Sequence, residues 1–521
     1  MMKIQVSRFG SACVPIISIA MSFVFLTHVH AETSVEIDPD NTYQIIRGFG
    51  ANNIMPWRPD MTADEIETAF GTGDGQLGFS ILRLRVPYVD NQFSLNVPTA
   101  KAAYDRGVTL IASPWTPPPA MKTNNNIVGG ELKESQYDEF AAHLKLFADY
   151  MADHGAPLYA VSVQNEPDVS VTYESCDWNA TQMVKFIKEN APAIGTKVIA
   201  PESFKFRKNL SDPILNDPEA CANLDIVGGH IYGGGLEPYP LAESKGKEVW
   251  MTEHLVLETS WADNLATGSD MNNCMLSGMS AYIWWYIVRF YGPIYDEGDD
   301  YRTPPGAVKG EISKRGYVMS QFARFVRPGY YRIYCSPSTQ RNLTLTAYRD
   351  GESSKIVIVA INTSNDPMDL GFTLQGGSAA FFTPYVTTET KNCNQENSIA
   401  VSGGSFSASL EASSVTTFVS DGSTAMDDKT ASPAESFNLL QNYPNPFNPV
   451  TTIMYSVPEN GPVSLKVYDL LGKEVATLFQ GIRQAGDYAV TFDGSSLAGG
   501  VYLYRLRAGD FTETNKLILD K

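Results

Sequence analysis

Between Gln44 and Arg327 short apolar runs of β type alternate with longer stretches of helical periodicity. The apolar runs are Gln44–Gly50, Phe79–Val86, Val108–Pro114, Leu158–Gln164, Lys197–Pro201, Leu224–His230, Glu248–Thr252 and Ala281–Tyr286. Helix-like stretches such as Thr62–Phe70, Ser135–Asp153, Thr181–Asn190 and Ala262–Met279 lie between them. Eight strand-then-helix repeats over about 280 residues predict an α/β fold, a (β/α)8 TIM barrel. A doubly wound open sheet is the competing arrangement, but no glycine-rich phosphate loop follows the first run to favour it. The boundaries expected for the barrel are 45–327. From 328 to 420 the period drops to two, in Tyr330–Tyr334, Leu343–Tyr348, Lys355–Asn362, Phe372–Gln375 and Val415–Val419. That predicts a fused side β-sandwich, to which the stretch 32–44 adds a strand around Ser34–Ile37. Residues 421–436, rich in Ser, Thr, Asp and Ala, read as a linker. A small all-β, immunoglobulin-like unit follows over 437–521, with strands expected at Thr452–Ser456, Val463–Tyr468, Asp487–Phe492 and Val501–Arg507. Three prolines between Asn442 and Pro449 fix φ and stiffen its entry.

The first 31 residues break the pattern. Lys3 and Arg8 precede an apolar stretch from Cys13 to Leu26, and Val29-His30-Ala31 places small residues at a cleavage site. This is the form of a secretion signal, 1–31, and it is shorter than the ~20 apolar residues of a membrane span. No transmembrane anchor is expected. With 39 basic against 58 acidic residues the formal charge is −19, which repels phosphate backbones and argues against a nucleic-acid partner. Beyond the signal five cysteines remain, Cys176, Cys221, Cys274, Cys335 and Cys393, an odd number with no zinc-site spacing. Cys335 and Cys393 are a candidate disulfide pair.

Active sites of (β/α)8 enzymes gather where the strands end. The fourth run ends in Asn165-Glu166-Pro167 and the seventh in Glu253. Two carboxyls facing each other across one barrel mouth are the equipment for glycosidic cleavage with retention: one protonated to release the leaving oxygen, one ionised to attack. The competing reading of either glutamate is a solvated or ion-paired surface residue. Trp115, Trp284 and Trp285 are candidates to floor the cleft against sugar faces. His230 and Tyr232 are candidates to donate hydrogen bonds around the nucleophile, and Arg83 to hold Glu253 ionised. Core packing competes for each aromatic, and a structural role for His230. No H-x-x-x-H pair and no G-x-S-x-G elbow is present, so neither a metal site nor a serine nucleophile is expected.

Six segments, Gln76–Arg83, Ala112–Trp115, Tyr159–Pro167, Val198–Ser203, Trp250–Glu253 and Ile312–Tyr317, resemble glycoside hydrolase family 30, and most of all its bacterial xylanases of subfamily 8. The resemblance covers about Ile45 to Val419. It implies Glu166 as acid/base, Glu253 as nucleophile, Asn165 among the substrate-binding residues, and retaining, endo-acting cleavage of β-1,4-xylan or glucuronoxylan without metal or cofactor. Members that require a glucuronate branch hold it with an arginine after the eighth strand, and Arg289 stands at the matching place. However, His254–Glu258 replaces the tyrosine-rich stretch usual after the nucleophile, and an acidic insertion, Asp296–Asp300, follows the eighth strand. Tolerance of undecorated chains is therefore expected. Other family specificities remain open at this point, β-1,6-glucanase and an exo-acting β-glycosidase among them, as does a reading of a different class, a catalytically silent xylan-binding surface protein. The segments Asn442–Pro449, Val467–Lys473 and Gly499–Tyr504 resemble the C-terminal sorting domain of type IX secretion cargo, which implies an outer-membrane exporter as partner and release or attachment outside the cell; a monomer is expected. An accessory carbohydrate-binding module is the rival reading of this unit.

Overall fold

The computed structural model describes residues 32–296, 300–376, 379–422, 437–442, 445–483, 486–495, 497–509 and 511–521. The expected signal 1–31 lies outside these residues, as does nearly all of the expected linker. The chain divides into two compact units at residue 424.

The first unit opens with a long strand, β1 (Thr33–Ile45), which belongs to the side sheet. The barrel strands follow: β2 (Gly48–Asn52), β3 (Ile81–Val86), β4 (Thr109–Pro114), β5 (Ala160–Ser162), β6 (Lys197–Ser203), β7 (Ile226–His230), β8 (Glu248–His254) and β9 (Ala281–Trp284). They close in sequence order, all parallel, with β9 returning to β2. The barrel interior is filled by Ile81, Ile111, Ala160, Ile199, Ile226, Trp250, Ala281 and Ile283. The opposite faces of the strands carry Phe49, Leu82, Val161, Met251 and Tyr282 into the larger core beneath the helices. Closure depends on Gly50, where a Cβ would lie 1.9 Å from the carbonyl oxygen of Ile81.

Capping sets several helix starts. Thr62 with Glu65, and Asn179 with Gln182, form capping boxes for the helices Ala63–Phe70 and Ala180–Glu189, and Ser260 and Ser313 cap the helices Trp261–Leu276 and Lys314–Ala323. These last two helices join barrel to side sheet. Thr417 donates to the Gln321 carbonyl (2.8 Å), Gln321 to Thr387 (2.8 Å) and Trp261 to the Ser413 carbonyl (3.0 Å).

Among the described residues the side sheet has eleven strands. β1 is an interior strand, third from one end, antiparallel to Tyr331–Ser336 and parallel to Met368–Leu374. Here the first predicted barrel run needs correcting: Gln44 and Ile45 end the side-sheet strand, and the barrel begins only at Gly48. The predicted disulfide is also absent. Cys335 is buried in the side sheet, Cys393 takes a contact from the Arg324 guanidinium at 3.5 Å, and both are free thiols. Among the described residues no helix is long and apolar enough to cross a membrane.

The second unit is all strand. A three-stranded sheet (Asn438–Leu439, Val450–Val457, Gly486–Asp493) and a four-stranded sheet (Glu474–Arg483, Gly461–Tyr468, Gly500–Ala508, Phe511–Leu519) share a core of Phe447, Ile453, Leu465, Tyr504 and Leu517, with others. Glu474–Arg483 and Phe511–Leu519 were not foreseen. The first is only half-buried along its length and the second begins among polar residues, so neither shows a strong apolar run.

Candidate active site

Glu166 stands just past β5 and Glu253 near the end of β8, and their carboxylates meet. One oxygen of each and one nitrogen of His230 lie within 4.8 Å of one another. Two carboxyl groups this close have the spacing of double-displacement glycosidases, about 5–5.5 Å, and leave no room for a water between them.

Backbone irregularities aim these side chains. Glu166 and Glu202 both adopt positive φ, +47° and +53°, and the Glu166 amide donates to the Glu202 carbonyl at 3.1 Å. Non-glycine residues in this conformation carry strain that the surrounding structure must hold. β-Bulges interrupt the pairing of β6 with β7 between Pro201 and Ser203, and of β7 with β8 at Gly229 and His230. Such bulges turn side chains off the regular alternation toward a site.

Arg83, inside β3 and fully buried, is the hub. Its guanidinium donates to Glu253 Oε2 (2.8 Å), Asn165 Oδ1 (2.7 Å), Ser113 Oγ (3.1 Å) and Glu202 (3.3 Å). Burial opposes its charge, but Glu202 and Glu253 outweigh that and raise its pKa. Tyr232 donates to Glu253 Oε1 at 3.0 Å, so each oxygen of that carboxylate has a donor. Burial pushes the Glu253 carboxyl up, while the charges of His230 and Arg83 pull it down and that of Glu166 adds to the rise.

His230 differs from expectation. Its Nδ1 meets Glu166 Oε1 at 2.9 Å and is 4.0 Å from Glu253, so it serves the first carboxyl rather than the second. Burial pulls the imidazole down, yet Glu253, Glu166 and Glu202 together lift its pKa to about 9. A protonated imidazole between two carboxyls is equipped for proton transfer.

The tryptophans separate. Trp285 is half-buried and packs on Tyr286 and Trp115, at 4.4 and 5.7 Å between ring centroids. Trp115 is 2 % exposed, lying over the Arg83 guanidinium and against Trp57. Trp284 does not line the cleft. It is wholly buried in the core beneath the helices, under Arg315 and beside His254, because the phase of β9 points Ile283 inward and Trp284 outward. Arg289 is half-buried and engaged: its guanidinium meets Asp296 at 3.0 Å, and Arg58 meets the same carboxylate oxygen at 2.7 Å. Asp296 belongs to the acidic insertion, whose residues 297–299 lie outside the described residues.

Sequence reasoning missed three neighbours. Glu202 joins Arg83, Tyr173 donates to Glu166 Oε2 at 3.4 Å, and Phe204 stacks on Tyr232 at 5.0 Å. The Ala-Pro-Glu-Ser segment was visible, but nothing local marks its glutamate as inward-facing.

Comparison with known proteins decides the family. A glycosyl hydrolase family 30 TIM-barrel domain matches residues 61–235. Glucuronoxylanase XynC of Bacillus subtilis (strain 168) is 42% identical over 426 residues, covering 78% of this chain and 97% of that protein. The chain belongs to glycosyl hydrolase family 30. Among solved family 30 structures, the subfamily 8 xylanase Xyn30A from Clostridium acetobutylicum superposes with a TM-score of 0.68 at 37% identity, over 74% of this chain and 99% of that one. An endoxylanase from Clostridium papyrosolvens C71 gives 0.65 at 36% identity, over 74% and 100%. Residues 441–520 match a secretion system C-terminal sorting domain, so this family 30 member is an exported protein.

Proposed function

We propose that the chain is a secreted, retaining endo-β-1,4-xylanase that cleaves xylan and glucuronoxylan. The approach of Glu166 to Glu253 carries this reading, with Glu253 gripped by Arg83 and Tyr232. Likeness to a glucuronoxylanase and to endoxylanases across nearly their whole length supports the substrate.

In this mechanism Glu253 attacks the anomeric carbon, and the glycosidic oxygen leaves with the proton of Glu166. The glycosyl ester on Glu253 is then hydrolysed by a water whose proton passes to Glu166, which restores both carboxyls. Arg83 and Tyr232 hold the nucleophile ionised and aligned, and Asn165, its oxygen fixed by Arg83, offers its amide hydrogens to the sugar. Trp285 is the aromatic platform for a pyranose face. Arg289 is the candidate for a uronate branch. Asp296 already occupies it, and a branch carboxylate displaces that contact rather than meeting a bare cation. Undecorated chains, which need no such displacement, are therefore also cut. The sorting domain hands the enzyme to an outer-membrane type IX exporter, and the catalytic unit works as a monomer.

Mass analysis of products tests the reading. Oligosaccharides from both xylan and glucuronoxylan are expected, and none from either ends it. A uronate at one fixed distance from each reducing end assigns Arg289 the branch, whereas randomly placed branches leave it a structural arginine.

A further inference from the structure

Burying three carboxyls, one guanidinium and one imidazole together raises the question of where the protons sit. Arg83 is permanently charged. Glu202, at the bulge of β6, is fully buried, and although burial opposes its charge, Arg83 and His230 hold its carboxyl far below the usual carboxylate range. Retaining cleavage needs Glu253 ionised and Glu166 protonated. Two anions and one guanidinium leave the cluster one positive charge short, and His230 supplies it as an imidazolium.

Geometry shows how. The Nε2 of His230 and Oε1 of Glu202 are both buried and lie 4.0 Å apart; Nε2 has no hydrogen-bond partner among the described residues, while Oε1 is also ion-paired with the Arg83 guanidinium at 3.2 Å. At 4.0 Å the contact of ring and carboxylate is one of charge. A bare nitrogen lone pair turned toward a carboxylate is repulsive, so Nε2 carries a proton. The other nitrogen then decides the acid. A neutral ring has its lone pair on Nδ1, and Glu166 spends its proton on His230. A doubly protonated ring donates from Nδ1 to Glu166 Oε1 at 2.9 Å, which leaves the proton of Glu166 on Oε2, beside the exposed Tyr173.

We propose that Glu202 is a positioning residue for the acid step: by holding His230 doubly protonated it places the acid proton of Glu166 on Oε2, where the leaving oxygen can take it. This rests on the assignment of Glu166 and Glu253 above. The charged and titratable groups around His230 are Glu166 past β5, Glu202 on β6, Tyr232 past β7, edge-on at 6.0 Å, and Glu253 on β8. Arg83 on β3 reaches it through the two carboxylates it binds, and His254 lies beyond Tyr232 at 5.6 Å.

The test is Glu202→Gln, which keeps size and hydrogen bonding and removes the charge. On xylan, whose leaving group needs the proton, kcat should fall by roughly ten- to hundredfold with KM little changed, less than the ~10²–10⁴-fold of losing a general acid outright, because Glu166 itself remains. The basic limb of the pH profile should move to lower pH. On an aryl β-xylobioside with a strongly acidic phenol, which leaves unaided, the first chemical step should keep its wild-type rate. Equal losses on both substrates, or an unshifted profile, overturn the proposal. Should the variant fail to fold, nitrogen NMR of His230 in the wild type decides: an imidazolium persisting through pH 8 supports the proposal, and a neutral ring at pH 7 overturns it. Glu253→Gln is the control, because its full activity on both substrates would sink the underlying assignment instead.

Discussion

In the mechanism proposed above Arg83 serves both halves of the reaction at once: through Glu253 it orients the attacking oxygen, and through Asn165 it fixes a group beside the acid. The roles proposed for Glu166 and Glu253 can be told apart by rescue. Glu253→Ala should lose activity on xylan by at least about a thousandfold with folding intact. Glu166→Ala should lose the polysaccharide reaction but, given azide and an activated aryl glycoside, release a β-glycosyl azide, identifiable by mass and NMR. An α-azide would contradict the assigned roles. His230 adds a stability signature. Its folded pKa, about 9, lies above the 6.5 of a free imidazole. The stabilisation from its partners is therefore complete below pH 6.5 and lost as pH rises through 9, a decline on the order of 3 kcal/mol. Urea unfolding across that range should show the decline in the wild type and not in His230→Gln.

At the scale of elements, the helix Trp261–Leu276 carries an unfavourable charge. Asp270 is held up at about 6 by burial, and the nearest imidazole, His254 at 3.9 Å, is itself pushed down to about 4 by burial and Arg315, leaving it neutral at pH 7. A carboxyl raised in the folded state loses stability as pH climbs from its unfolded value through 6. Its ionised form costs on the order of 2 kcal/mol at neutral pH, allowing for partial exposure. Asp270→Asn should raise the thermal midpoint at pH 7 by roughly 2 °C or more, and by little at pH 4. The strands and helices themselves were largely readable, because a closed parallel barrel requires continuous apolar runs, and all eight were found. What periodicity could not give was phase at the strand ends. Trp284 and Trp285 are neighbours of equal character, yet one lies wholly beneath the helices and the other is half-buried against Tyr286 and Trp115. Glu202 points inward only because a bulge shifts β6 against β7, and no local residue pattern announces that bulge. Arg83 was legible for the opposite reason: a charge inside an apolar run has to find a carboxylate.

For the whole molecule, each of the two units has its own hydrophobic core. A chain ending at residue 422 should keep the full-length kcat/KM on xylan, and calorimetry of the intact protein should show one transition more than that shortened form. A truncated enzyme that precipitates or loses activity would show that the sorting domain contributes to the fold. The placement of β1 has a consequence for synthesis. Among the described residues Thr33–Ile45 pairs with Tyr331–Ser336 and Met368–Leu374, some three hundred residues downstream. A polypeptide threading across a membrane from its amino end must therefore keep its leading segment unpaired until most of the enzyme has crossed, with a barrel's worth of intervening chain still to be arranged. That long wait exposes a bare β-edge to aggregation and makes passage with a holding chaperone advantageous, whereas the closing 85 residues, whose strands mostly pair with near neighbours, can form as soon as they emerge.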